Sequence, residues 1–206
     1  LGALFATLII YSLSLKKGPS TTRIILAGVA VNTIFGAGND ILISLFPNRV
    51  PAALGFMVGG LSGISWKDVS MVSVYIILAL LLAIFLSGKL NILVLGDEIA
   101  SSLGENVGVI RLVFIALSSL LAGSAVAVVG LLGFVGLIVP HIMRLLIGSD
   151  NKYLIPSSML AGSFIVLFSD LIARLIFAPS EIPVGVIMSI IGGPFFLYLV
   201  FRKDKI

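Results

Sequence analysis

The chain has no cysteine, a single histidine (His141), and charge on only 11% of its 206 residues. Without cysteine there are no disulfides and no thiolate metal sites. One imidazole, with no carboxylate cluster beside it, does not make a metal site either. A soluble domain carries charge on roughly a quarter of its residues; here 59% are hydrophobic and mean hydropathy is +1.25. Such a chain has too little polar surface to face water, so its solvent is lipid. The net charge of +4 is not gathered into a nucleic-acid patch. It sits at the ends of apolar runs, as membrane orientation requires. The string G-x-x-x-x-G-K-[ST] is also missing, since neither Gly88-Lys89 nor Lys17-Gly18 completes it. Energy for any work must therefore come from another chain, and no cofactor is expected.

What is present is a series of long apolar runs. An apolar helix needs about 20 residues to cross the bilayer core. Residues 1–15 read as the tail of one span, ended by Lys16-Lys17-Gly18-Pro19. Further spans are expected near Thr22–Phe46, Val69–Ser87, Val107–Val128, Tyr153–Phe177 and Val184–Phe201. Gly130–Ile147 is shorter and reads as a kinked or partial span broken at Pro140. Residues 47–68, punctuated by Gly and Pro, read as a loop with a short surface helix. The expectation is an all-α, polytopic transmembrane bundle of about seven spans. Because Leu1 falls inside an apolar run with no basic segment before it, residues 1–14 are not read as a signal peptide. The chain is expected to be an N-terminally incomplete piece, one transmembrane domain over 1–206.

The basic residues orient this layout. Lys16, Lys17, Arg23, Lys89, Arg111, Arg144, Lys152, Arg202, Lys203 and Lys205 fall on one side, and only Arg49, Lys67 and Arg174 on the other. The richer side is cytosolic by the positive-inside rule, and the C-terminus lies there. Small residues recur at helix-packing spacing: Gly28, Gly36 and Gly38, then Gly130, Gly133 and Gly136, then Gly192 and Gly193.

The cytosolic side also holds the polar island from Gly96 to Asn106, with three of the nine acidic residues (Asp97, Glu98, Glu105). It reads as a compact helix bounded by glycine, with acids at the end where the helix dipole favours them. A membrane protein with little soluble mass offers few such grips, and this one points to a transport subunit driven by a partner. An ordinary solvated loop is the plain alternative.

Two stretches carry a recognisable pattern. One runs Gly133-Phe134-Val135-Gly136-Leu137-Ile138-Val139-Pro140-His141-Ile142-Met143-Arg144, followed by Gly148-Ser149-Asp150. The other is Asp170-Leu171-Ile172-Ala173-Arg174, then Glu181-Ile182-Pro183-Val184-Gly185 and Gly192-Gly193-Pro194-Phe195-Phe196. With Leu26–Asn32 and the Gly59–Trp66 loop, they resemble the iron-siderophore and vitamin B12 permease family of ABC importers. The resemblance implies about ten helices per subunit, of which this chain holds roughly the fourth to tenth. It implies a second permease copy or a paralogue, cytosolic ATPase subunits, and an extracytoplasmic binding protein. Gly96, Asp97, Glu98, Ala100, Ser101, Leu103 and Gly104 then stand where the family couples to its ATPase. Arg174 and Glu181 stand where the binding protein docks. Iron-siderophore complexes are the expected cargo, with haem or cobalamin as alternatives, carried through the cell membrane by alternating access.

Polar residues within the spans require their own explanation, at about 2.5–3.5 kcal/mol each on insertion scales. Asp170 and Arg174 are four apart, so they can pair across one turn. Asn32 and Asn39 are seven apart and share a face, which suits either a translocation path or interhelical hydrogen bonding. His141 beside Pro140 reads as a structural hydrogen-bonding residue, and with Gly133 and Gly136 the stretch is a candidate hinge. Two rivals remain. Gly60-Leu61-Ser62-Gly63 matches the G-x-S-G string of intramembrane serine proteases, with His141 as base. An ion-coupled secondary transporter would need carboxylates deep in the bundle, and only Asp40 and Asp170 come near.

Overall fold

The computed structural model describes residues 2–15, 21–176 and 182–203, and every regular element among them is helical. α1 (Gly2–Leu15) and α2 (Thr21–Leu45) are followed by a 3-10 turn, Pro47–Arg49, and the short α3 (Val50–Val58). Then come α4 (Trp66–Phe85), α5 (Ser87–Val94), α6 (Asp97–Ser102) and α7 (Val107–Val129). α8 (Val135–Ile147), α9 (Asn151–Ile176) and α10 (Val184–Lys203) complete the set. All seven expected spans are helices. Among the described residues, four of them (Ile25–Leu45, α4, α7 and α9) are long and apolar enough to cross a membrane.

The contacts between the helices say why they pack. α4 and α7 meet through Ala79 and Ala83, one turn apart, against Leu117. Small residues there let two backbones approach where lipid supplies no hydrophobic drive. α1 crosses α7 where Gly123 faces the Ala3 methyl, and Thr7 Oγ1 lies 2.9 Å from Ser119 Oγ. α9 and α10 close over Ala173, Val184 and Met188, each at most 1% exposed. α2 differs: it packs on α1, but Asn32 to Ser44 is exposed along almost its whole length.

Local chemistry sets the boundaries. Ser65 caps α4 in a capping box: Asp68 N donates to Ser65 Oγ at 3.4 Å, and Ser65 N donates to Asp68 Oδ2 at 3.0 Å. α4 stops at Phe85, and Ser87 Oγ donates to Ile84 O at 2.7 Å across the joint with α5.

One expectation is corrected here. The discontinuity after α7 falls at Gly130–Phe134, not at Pro140, and α8 runs through Pro140 without interruption. The proline removes only the bond to the carbonyl of Gly136, a loss one helix turn tolerates. The 47–68 segment is, as expected, a short and largely exposed helix, α3, with a 3-10 turn before it and a loop after it. α3 ends against the α7–α8 break, where Leu131 N donates to Phe56 O at 3.1 Å and Gly60 N to Val129 O at 2.8 Å.

Candidate functional site

The polar island folds as α6, a helix of six residues between Gly96 (φ 108°) and Gly104 (φ 82°). Both angles lie in the region that side chains disfavour, so glycine ends the helix cleanly on each side. Ala100 is fully buried and seats α6 on the bundle. Ile99 on α6 and Leu103 just after it remain 48% and 60% exposed among polar neighbours. Glu98 and Ser101 are also exposed.

Two ion pairs flank this helix. Arg111 Nη2 of α7 donates to the Asp97 carboxylate at 2.9 and 3.2 Å. Lys89 Nζ of α5 donates to both oxygens of Glu105 at 2.9 and 2.7 Å. Asn106 then caps α7, its Oδ1 accepting from Val109 N at 3.2 Å.

A third polar tie lies beside them. Asn91 Nδ2 donates to Asp150 Oδ1 at 2.7 Å, and Asn91 Oδ1 accepts from Asn151 N and Nδ2 at 2.9 and 2.8 Å. Asp150 Oδ1 also accepts from Lys152 N at 2.9 Å. That backbone N–H, then the Asn91 amide and the Lys152 charge, hold the Asp150 carboxyl below its ordinary value of 3.8. The sequence reading missed this cluster. Ser149-Asp150-Asn151 before an apolar run signals a helix cap, but not a partner some 60 residues away.

At the other end of the bundle, three segments meet backbone to backbone. A side chain on Gly59 would strike Leu131 O, and one on Gly185 would strike Val58 O. Gly185 N donates to Gly59 O at 3.3 Å. Beside this junction is a cavity of about 380 Å³ lined by Gly60, Ser62, Gly130, Asp170, Arg174 and Pro183 among others. Arg174 Nε donates to Asp170 Oδ2 at 2.7 Å, the pairing the spacing suggested. Glu181 lies outside the described residues.

Of the remaining candidates, Asn32 and Asn39 are exposed on α2. His141 is half-buried, its ring edge-on to Phe195 of α10 at 6.2 Å, and it does not line the cavity that holds Ser62. Gly133 faces Ser189, and a side chain on Gly136 would meet open space. Phe134, just before α8, has φ 64°, and its ring fills the notch left by Gly192.

These features define an all-α, multi-pass membrane protein with a short polar helix at one end. Its sequence matches the model of the FecCD transport family over residues 1–202, and the chain belongs to that family. It is 39% identical over 199 residues to the Fe(3+)-citrate import system permease protein YfmE of Bacillus subtilis, covering 97% of this chain and 60% of that one. The Hemin transport system permease protein HmuU of Yersinia pestis is 37% identical over 206 residues, covering all of this chain and 62% of that one. A solved structure described as an inward-facing conformation of a metal-chelate type ABC transporter superposes with a TM-score of 0.84 at 30% identity. That match covers 95% of this chain and 63% of the other. The chain thus spans about three fifths of the length of the curated relatives it matches.

Proposed function

We propose that this chain is the greater part of a permease subunit of an ATP-binding-cassette importer, and that it moves iron-siderophore complexes across the cell membrane by alternating access. ATP is hydrolysed by a separate partner chain. The observation that carries the reading is α6: a six-residue helix seated on buried Ala100, braced by two ion pairs, and presenting Ile99 and Leu103 outward. Exposed apolar side chains on a polar, cytosolic helix suit a protein cleft better than water. Gly96, Asp97, Glu98, Ala100, Ser101, Leu103 and Gly104 form the surface that the ATPase grips.

The excess of basic residues on the α6 side supports a cytosolic island and C-terminus. The opposite end, with Arg174, then faces the binding protein, to which the family resemblance also assigns Glu181, and Asp170 keeps the Arg174 guanidinium in place until it docks. Gly28, Asn32, Gly36 and Asn39 fall within about 80° of arc on α2 at 100° per residue. That small and polar stripe is uncovered in this chain, which suits a path shared with a second permease copy or a paralogue. Haem is the second reading for the cargo, favoured by the likeness to the hemin permease.

The chain contains no cysteine, so Ser101→Cys introduces a unique thiol. In the assembled complex a short thiol-reactive crosslinker should join residue 101 to the ATPase subunit. Labelling of that thiol only from outside the cell would remove the coupling surface and the reading with it.

A further inference from the structure

We infer that Asn91 is the positioning residue through which the coupling segment moves α9, so that ATPase state at one end reaches the Arg174 end at the other. The inference rests on the importer reading above.

α5 links α6 to α9: α6 packs on α5 and α7, and α5 in turn packs on α9. Lys89 and Asn91 are two residues apart on α5, about 200° around the helix. They therefore reach in different directions. Lys89 holds Glu105, just past α6, and Asn91 holds the turn between α8 and α9. A displacement of α6 is carried by the first contact into α5 and handed on by the second. The Asn91 amide has only one workable orientation, because its oxygen receives two donors from Asn151 while its nitrogen faces a carboxylate. This polar joint is specific in direction, unlike an apolar contact that slides.

What lies beyond the joint is one long element. α9 starts at Asn151, with Leu154 buried one turn on, and its 26 residues span about 39 Å. Its far end carries Asp170 and Arg174 beside the cavity. A push at Asn151 is delivered along that helix to the face proposed for the binding protein.

The test uses the complete transporter, with its ATPase and binding protein, reconstituted in vesicles. Asn91→Asp sets a second carboxylate against Asp150, while Asn91→Ala removes the joint without adding charge. Both should assemble and keep basal ATP hydrolysis, yet lose binding-protein stimulation by about tenfold, which corresponds to about 1.4 kcal/mol of coupling. The swap Asn91→Asp with Asp150→Asn restores one donor facing one carboxylate and should regain the stimulation. A cluster that merely stabilised the fold would lower the thermal midpoint and the yield of complex, with stimulation per complex unchanged. Full stimulation in both single variants, or a swap no better than Asn91→Asp, overturns the inference. A wild-type complex with no binding-protein-stimulated hydrolysis overturns the importer reading instead.

Discussion

The two ends of this bundle are built on opposite terms. At the α7–α8 break, α3, Leu131 and the start of α10 touch through main chain, with Gly59, Gly130 and Gly185 supplying the room. At the α6 end, α6 and its flanking residues are tied by the tips of charged side chains that are about a quarter to a half exposed. A backbone contact has no slack, because nothing in it can change rotamer. A side-chain tie can stretch, re-pair or release at a cost of about 0.2–1 kcal/mol when exposed. The glycine junction is therefore the stiffer end and the α6 end the more compliant one, a division that the alternating-access proposal requires.

The sharpest way to break that contrast is to put a methyl into the junction. Gly185→Ala drives its Cβ into Val58 O, a backbone atom that cannot step aside. Overpacking of this kind costs about 1–3 kcal/mol, and the rigid neighbour puts this site at about 3 kcal/mol. Gly136→Ala is the control: its Cβ meets open space within α8, and alanine should be neutral or stabilising by about 0.5–1 kcal/mol. Thermal midpoints in detergent measure both. Equal behaviour of the two variants would mean that the junction yields and is not the stiffer end.

A smaller effect is expected at the seat of α6. Ala100 is fully buried beneath the helix. Ala100→Leu has nowhere to place its extra carbons and should lift α6 off the bundle, at about 2 kcal/mol. Recovery of the ATPase in a pull-down should fall severalfold, while the α7–α8 junction, read by the thermal midpoint, moves little. Unaltered recovery would show that the position of α6 is not what the ATPase reads.

The same contrast shows how much was legible in the sequence. Apolar run length located α2, α4, α7, α9 and α10, and the flanking glycines located α6 within two residues of its ends. The Asp170–Arg174 pair followed from spacing alone because both partners sit on one helix. What was not legible depends on a second segment. Gly28, Gly36 and Gly38 have packing spacing yet face open space within this chain, whereas Gly123 and Gly185 have no such pattern and touch a neighbour. Spacing reveals that a helix has a small face, but not what stands opposite. α5 was invisible for a related reason. Ser87-Gly88-Lys89 reads as the end of the α4 span rather than the start of a helix, and Ser87 turns its hydroxyl back onto Ile84 O. Asn91 had no readable role until Asp150, distant in sequence, was brought beside it.

The smallest effects belong to the ion pairs, and they sharpen the comparison most because they separate holding from coupling. The Lys89 and Glu105 side chains are 43% and 24% exposed, and those of Arg111 and Asp97 28% and 54%. At such exposure, water and salt screen most of the attraction. Lys89→Ala and Arg111→Ala should each lower stability by no more than about 0.2–1 kcal/mol, less in high salt. If α6 is a compliant element braced by weak ties, the thermal midpoint should hardly move. The ratio of transport to ATP hydrolysed should still fall, because a looser brace spends motion locally. A large loss of stability from either variant would place the rigid part of the molecule at the α6 end. The roles of the two ends would then have to be exchanged.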